Sequence, residues 1–176
     1  MGRPSAISCI TIREVHMRGF ALFVAGLVCG IVMMQPGAAQ GNKGKGRRLN
    51  HVGINVKDYK ESLDFYTKTL GFREAFTVKD DKGNPTLTYV QIDKGTFVEL
   101  QPAGDRPVGM THVGLWLDDI NAEVSSLKKA GVKLEDPRMG RTNAPLTNFT
   151  DPNGARFELM ELTPGSLQRK AVDAFK

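Results

Sequence analysis

Cysteine and histidine are both scarce in this sequence, and their scarcity narrows the chemistry that the chain can support. The two cysteines, Cys9 and Cys29, lie within the first 40 residues. The rest of the chain therefore has no disulfide, no thiolate nucleophile and no cysteine metal ligand, which argues against a closed structural zinc site. Of the three histidines, only His51 and His112 follow that N-terminal segment. Any imidazole chemistry must use these two.

Long apolar runs are also missing, apart from one close to the N-terminus. Residues 19–34 carry no charge, but a run of 16 residues is short for a membrane-spanning helix, which needs about 20. Arginines precede the run and Gly37-Ala38-Ala39 follows it, a pattern typical of a secretory signal peptide. The sequence thus predicts that residues 1–39 are removed, that the protein is exported (periplasmic or secreted) and that no stable membrane span remains. An uncleaved anchor is the alternative, and Met17 is an alternative start.

An excess of positive charge is missing from most of the chain. Residues 40–48 are rich in glycine, lysine and arginine and are predicted to form a flexible basic linker. From Leu49 onward the sequence has 17 Lys and Arg against 18 Asp and Glu, a net charge of −1. The basic character belongs to the leader and linker, so the domain itself is not expected to bind nucleic acid.

What the chain does contain is a repeat centred on its two remaining histidines. The pattern His-Val-Gly-apolar-x-apolar-x-Asp occurs at residues 51–58 and again at 112–119, an offset of 61 residues. In each copy the alternation predicts a strand, and the aspartate is a good N-cap for the apolar helical stripe that follows. Gly71 and Gly131 are expected to end the two helices.

The repeat extends through the strands that follow each helix. Glu99 and Glu158 occupy equivalent places in the last strands, 59 residues apart. The predicted fold is therefore α+β, with two tandem βαβββ modules at residues 49–100 and 111–162. Residues 163–176 are predicted to form a C-terminal tail with a short helix capped by Thr163. The predicted strands after the helices are 72–78, 86–92 and 96–100 in the first module, and 132–138, 145–150 and 155–160 in the second.

Strand alternation places the polar residues of both modules on the sheet face opposite the helices. Pairing the modules about a pseudo-twofold axis would bring two histidines and two glutamates together in one cavity enclosed by a curved sheet. Buried carboxylates facing histidines require compensation, and a divalent metal supplies it. Two imidazoles and two carboxylates suit one ion of Zn, Ni, Co, Mn or Fe(II).

These stretches resemble the vicinal oxygen chelate superfamily, which includes glyoxalase I, methylmalonyl-CoA epimerase, fosfomycin-resistance proteins and extradiol dioxygenases. The resemblance covers residues 49 to about 162. It implies metal ligands on the first and last strand of each module, and the matching residues are His51, Glu99, His112 and Glu158.

This ligand set is most similar to that of bacterial glyoxalase I. The similarity implies a metal-dependent lyase or isomerase of the lactoylglutathione lyase type, acting on a small oxygenated substrate through a metal-bound enediolate. It places the proton shuttle on Glu158, with Glu99 as the symmetric catalytic partner. Epimerases of the superfamily usually have an amide in place of Glu99. Glutathione adducts are scarce outside the cytoplasm, and the sequence has no clear counterpart of the residues that contact glutathione in glyoxalase I.

Five further residues are candidates for binding a small-molecule substrate. Arg141 and Arg156 could hold an anionic group, although a surface arginine is more often merely solvated. Asn55, Phe97 and Trp116 share sheet faces with the proposed ligands, although the aromatic residues could equally serve in packing.

Two other functions stay open. One is an Fe(II)-dependent ring-cleaving or other dioxygenase. The other is a non-catalytic small-molecule binding or resistance protein, as in bleomycin-resistance relatives, which often lack metal ligands. The sequence does not decide whether the site forms within one chain or across a possible homodimer.

Overall fold

Each of the two sequence repeats forms a βαβββ module. The computed structural model describes residues 46–176, so the leader and most of the predicted linker lie outside the described residues. The elements of the first module are β1 Arg48–Val56, α1 Tyr59–Asp64, β2 Arg73–Lys79, β3 Pro85–Asp93 and β4 Thr96–Pro102, with a π-helical turn Phe65–Thr69 after α1. Those of the second are β5 Gly109–Leu117, α2 Ile120–Lys129, β6 Arg138–Met139, β7 Pro145–Thr150 and β8 Arg156–Glu161. A third helix, α3 Leu167–Asp173, follows.

The eight strands form one mixed sheet, in the order β2-β3-β4-β1-β5-β8-β7-β6. Within each module the first and last strands run parallel, and the two modules join where β1 and β5 pair antiparallel. At this seam Val52 lies opposite Val113, and the pairs on either side of it are His51 with Gly114 and Gly53 with His112. The pseudo-twofold axis thus passes through this seam and exchanges β1 with β5. The predicted α+β architecture of two modules is confirmed.

The helices begin where the sequence indicates. The Asp58 side chain accepts a hydrogen bond from the backbone N–H of Glu61 (2.8 Å), and Asp119 accepts one from Ala122 (2.9 Å). These bonds satisfy N–H groups that would otherwise lack partners in the first helical turn. Both predicted caps are confirmed.

Apolar side chains cover both faces of the sheet. Helix α1 packs on a cluster that includes Val98 and Leu100, and α2 packs on one that includes Leu159. On the opposite face, α3 contributes Ala171 and Val172 to a third cluster. That third cluster surrounds the base of the face that carries the histidines, and its other buried members are Leu87, Tyr89, Phe97, Ala144, Leu146, Met160 and Leu162.

Strand β6 is much shorter than the predicted strand 132–138, because only Arg138 and Met139 pair with β7. Pro137 has no N–H to offer a neighbouring strand, which disfavours pairing just before Arg138. The Thr147 hydroxyl instead donates to the backbone carbonyl of Glu135 (2.9 Å).

Two chain segments differ from expectation at their ends. Arg48, placed in the linker by sequence, belongs to β1, and Arg47 forms an ion pair with the buried Glu123. The cap of α3 is Ser166 and not Thr163, because Thr163 precedes a turn in which its carbonyl accepts from the Ser166 N–H (3.0 Å). Among residues 46–176, no helix is both long and apolar enough to cross a membrane.

Candidate metal centre

Two rows across the central strands build the candidate site. In one row, Gly53 on β1 lies between Glu99 on β4 and His112 on β5. In the other, Gly114 on β5 lies between His51 on β1 and Glu158 on β8. Residues two positions apart on a strand share a face, so the two rows lie side by side on the same face.

The glycines make room for the histidines. A Cβ atom at Gly114 would lie 2.0 Å from Cε1 of His51, and one at Gly53 would lie 2.2 Å from Cε1 of His112. Each imidazole therefore occupies the volume that a side chain on the neighbouring strand would fill. Sequence reasoning missed this role, although the repeated His-x-Gly spacing was a usable indication of it.

The polar atoms of the four residues converge. The Nε2 atoms of His51 and His112 are 2.9 Å apart, and Glu99 Oε2 lies 3.3 Å from the first and 3.7 Å from the second. Glu158 Oε1 lies 3.6 Å from His51 Nε2. His51, His112 and Glu158 each offer one donor atom within 4.8 Å of the others. One chain supplies all four predicted ligands.

Two further polar residues orient the histidine rings. The Asn50 amide donates to the Gly95 carbonyl (3.2 Å), which leaves its Oδ1 to accept the Nδ1–H of His51 (2.9 Å). This contact places the proton of His51 on Nδ1 and the lone pair of Nε2 toward the cluster. The Thr111 hydroxyl lies 2.9 Å from Nδ1 of His112. Sequence reasoning did not single out either residue.

The two glutamates differ in their surroundings. Glu99 accepts hydrogen bonds from the Tyr89 hydroxyl (2.8 Å) and the Gln101 amide. In the part of the chain that the structure describes, Glu158 accepts no hydrogen bond from another side chain, and its closest approach to His51 is the 3.6 Å between Oε1 and Nε2. The Glu99 carboxylate is thus held by two hydrogen-bond donors, whereas the Glu158 carboxylate is free to gain or lose a proton.

Burial shifts the pKa values of the cluster toward neutral side chains. It lowers the pKa of His51 well below its ordinary value, with His112 adding to the effect, and it lowers the pKa of His112 to about 4. Burial also raises the pKa of Glu99, and burial together with the charge of Glu99 raises the pKa of Glu158 to about 7. In the metal-free protein, both histidines are therefore neutral at pH 7 and Glu158 is close to half protonated.

The cluster opens into a polar cavity of about 230 Å³. Two of the predicted substrate-binding residues, Arg141 and Arg156, line it. The remaining lining residues are Leu87, Tyr89, Glu99, Gln101, Arg106, His112, Arg138, Gly140, Thr142, Leu146 and Glu158.

The other three predicted substrate-binding residues do not line this cavity. Phe97 is fully buried in the apolar cluster beneath the site, where it packs edge-on against Tyr89. Trp116 contacts that cluster and carries the Arg48 guanidinium over its ring, 4.5 Å from the centroid. Asn55 donates to the Pro107 carbonyl (3.0 Å). These residues share strands with the ligands, but a shared strand does not bring them to the cavity, and the apolar cluster takes up Phe97 and contacts Trp116.

A family model matches the part of the chain that forms this sheet and carries the two ligand rows. The model of the Glyoxalase/Bleomycin resistance protein/Dioxygenase superfamily matches residues 48–159. The chain belongs to this superfamily. The match confirms the resemblance to vicinal oxygen chelate proteins.

The superfamily relatives include epimerases and lyases. The chain is 30% identical over 128 residues to the mitochondrial methylmalonyl-CoA epimerase of Homo sapiens, an alignment that covers 65% of this chain and 72% of the epimerase. It is also 30% identical over 128 residues to a probable chloroplastic lactoylglutathione lyase of Arabidopsis thaliana, covering 67% of this chain and 37% of the lyase. The crystal structure of methylmalonyl-CoA epimerase from Mycobacterium tuberculosis matches with a TM-score of 0.56 at 22% identity, over 66% of this chain and 88% of that one.

The side chains present fit the divalent metal that superfamily members bind. The donor set consists of nitrogen and oxygen atoms, its imidazoles are neutral, and the Asn50 contact presents a lone pair of His51. Without a cation, two buried carboxylates would face each other, and the raised pKa of Glu158 reflects that repulsion as well as burial. His51, His112 and Glu158 form a group that could hold such an ion.

Proposed function

We propose that this protein is a metal-dependent isomerase or lyase that moves a proton at a carbon atom next to a carbonyl group of a small substrate. The observation that carries the proposal is the convergence of two imidazole nitrogens and two carboxylates, with separations from His51 Nε2 of 2.9–3.6 Å, at the base of a cavity. The epimerase and lyase relatives support this class of reaction.

His51, Glu99, His112 and Glu158 would hold the metal. When bound, a divalent ion acts as a Lewis acid that polarises a substrate carbonyl and so acidifies the adjacent C–H group. Nitrogen and oxygen donors of this kind suit Zn, Ni, Co, Mn or Fe(II) alike. The protein supplies the neutral imidazoles, the fixed ring orientation and the enclosure.

Glu158 is the residue that would carry the proton. Its pKa of about 7 matches the working pH, which is the condition for efficient general acid–base catalysis. It lines the cavity, and no donor in the described part of the chain restrains its second oxygen. Glu99 is less suited to this role because the hydrogen bonds from Tyr89 and Gln101 hold it in place.

Metal analysis tests the proposal. Wild-type protein should bind about one divalent ion per chain, whereas His51→Ala and Glu158→Ala should bind it roughly 100-fold more weakly, because each loses a direct ligand. Glu135→Ala, at an exposed glutamate, is the control and should behave as wild type. Titration with Zn²⁺ and elemental analysis of the dialysed proteins give the answer. Equally weak binding by the wild type and both ligand variants would refute the metal site.

Metal affinity should also fall as the pH drops below 7. A protonated Glu158 cannot bind the ion, so protons compete with metal below its pKa of about 7. His112, with a pKa of about 4, adds no competition in this range. We expect the dissociation constant for Zn²⁺ to rise by up to about tenfold between pH 7 and pH 6. Glu158→Gln should bind more weakly but lose this pH dependence. A constant unaffected by pH in the wild type would contradict the assignment.

A second function has one observation in its favour. His51, His112 and Glu158 form a set of two histidines and one carboxylate, a combination that also supports Fe(II)-dependent oxygenases. Oxygen consumption by the Fe(II)-loaded protein in the presence of substrate would favour this function. An isomerase or lyase would instead act equally well without oxygen.

A further inference from the structure

The arginines of this domain differ in the groups that they contact. Residues 46–176 contain eight arginines, and three of them form ion pairs with carboxylates: Arg47, Arg48 and Arg169. Arg73 donates to carbonyl groups at the end of α3. The other four all line the 230 Å³ cavity, and within the described residues none of them forms a salt bridge. These four are Arg106, Arg138, Arg141 and Arg156.

Neutral acceptors hold two of the four in place. Arg106 donates to the Gln101 side chain (3.1 Å) and to the carbonyls of Pro102 (2.6 Å) and Ala103 (3.2 Å), while Arg156 donates to Asn148 Oδ1 (3.0 Å). Such contacts fix the position of a guanidinium group without offsetting its charge.

Helix α3 anchors the loop that carries Arg141. The carbonyl of Thr142 accepts from the Leu167 N–H (2.9 Å), and its hydroxyl accepts from the buried Gln168 side chain (2.9 Å). Arg141 is therefore attached to a backbone that the C-terminal helix holds against the sheet. The four cavity-lining arginines form an arginine wall, and three of them (Arg138, Arg141 and Arg156) belong to the second module.

The charges of the cavity do not balance. Four guanidinium groups face two carboxylates, Glu99 and Glu158, and a divalent ion bound by those carboxylates would increase the positive excess. The four arginines are solvent-exposed residues that line a partly open cavity. A cleft lined by one sign of charge attracts ligands of the opposite sign. Guanidinium groups in particular bind carboxylates through two parallel hydrogen bonds.

The volume of the cavity limits the size of the group that can enter it. At about 230 Å³ the cavity is smaller than the pockets of roughly 300–1,000 Å³ that enclose drug-sized molecules. A neighbouring groove of about 380 Å³ shares Gln101, Arg106 and Arg141 with the cavity, so arginine lines this groove as well. The part of the substrate that reacts must be compact and polar.

We propose that the substrate is a compact organic acid with two carboxylate groups, held by the four arginines with its reacting carbon toward Glu158. The position of the reacting carbon rests on the proposed function, whereas the binding of a small dianion is independent of it. A preference for a small dicarboxylate would distinguish this site from one that encloses a glutathione or coenzyme A thioester.

Calorimetric titration with malonate and propionate tests the charge requirement. The two acids have similar size and differ by one carboxylate, and metal-free protein removes chelation from the measurement. Malonate should bind at least about tenfold more tightly than propionate, and Arg138→Gln and Arg141→Gln should each remove most of that preference. Arg169→Gln, which changes a surface ion pair, should retain it. Equal affinity for the two acids, or a preference unchanged in both cavity variants, would overturn the proposal.

Acetyl-coenzyme A is the competing probe. If it binds more tightly than malonate and displaces it, a thioester occupies the cavity and the groove, and the dicarboxylate assignment is wrong. Zn²⁺ titration of the same samples separates this failure from a failure of the metal site. Selective malonate binding without metal binding would support the substrate class and refute the proposed function.

Discussion

Gly114→Ala should abolish the metal site and destabilise the protein by about 3 kcal/mol, at the upper end of the usual effect of overpacking. The new methyl group would overlap the His51 ring, with contacts of 2.0 Å to Cε1, 2.2 Å to Nδ1 and 2.6 Å to Nε2. His51 has no exposed surface and is enclosed by Tyr89, His112 and Asn50. The ring cannot turn away without losing its position as a ligand. Chemical denaturation and Zn²⁺ titration measure the two effects.

A double variant shows whether the steric overlap is the cause. In His51→Ala/Gly114→Ala the ring that collides with the new methyl group is gone, so stability should recover relative to Gly114→Ala while metal binding stays lost. Gly165→Ala is the control, because a Cβ there meets nothing within 4 Å. If the double variant were less stable than both single variants, the overlap would not explain the loss.

The sequence was sufficient to predict the sheet faces because the repeat carries its own alternation. His51 and Glu99 lie on the face opposite α1 since Val98 and Leu100 occupy the helix face, and the second module repeats this arrangement. The duplication made the prediction stronger, because a pattern of eight residues seldom recurs by chance, and this one recurs after 61 residues.

Contacts outside the repeat could not be predicted in the same way. Gln168 reaches Thr142 from α3, across 26 residues of sequence, and no periodicity or spacing reveals this contact. Tyr89 lies opposite Glu99 on the neighbouring strand β3, so only the register of that strand pair could have indicated its hydrogen bond to the carboxylate. Phe97 and Trp116 show the converse: a shared strand face did not bring them to the cavity, because the apolar cluster beneath the site occupies that part of the face.

The structure also separates two glutamates that the repeat makes equivalent. The module that carries Glu99 supplies Tyr89 and Gln101 as donors, while the module that carries Glu158 supplies arginines to the wall. The duplication thus supplies a symmetric set of ligands. The residues around the two glutamates differ between the modules, and this difference gives Glu99 and Glu158 different surroundings. Their pKa values follow these surroundings, since hydrogen bonds oppose the rise at Glu99 and the charge of Glu99 adds to it at Glu158.

Glu158→Gln should slow proton exchange at the substrate carbon by roughly 100- to 10,000-fold, the usual contribution of a general acid–base group. The amide keeps the size of the side chain and an oxygen that can approach the metal, but it cannot accept and return a proton at pH 7. Exchange of the substrate C–H for deuterium is measured by NMR in D₂O, with 2-hydroxy and 2-oxo dicarboxylates at saturating Zn²⁺, so that weaker metal binding does not contribute.

Glu99→Gln is the matched comparison for this prediction, because it makes the same chemical change at the symmetric position. Glu99 is held by Tyr89 and Gln101, and its replacement should weaken metal binding while exchange at saturating metal falls less than in Glu158→Gln. A larger loss in Glu99→Gln would reverse the two roles. An equal loss in both variants would mean that the carboxylates act as ligands and that the proton moves through another group. The ratio of the two rates therefore reports whether the asymmetry of the cavity directs the chemistry.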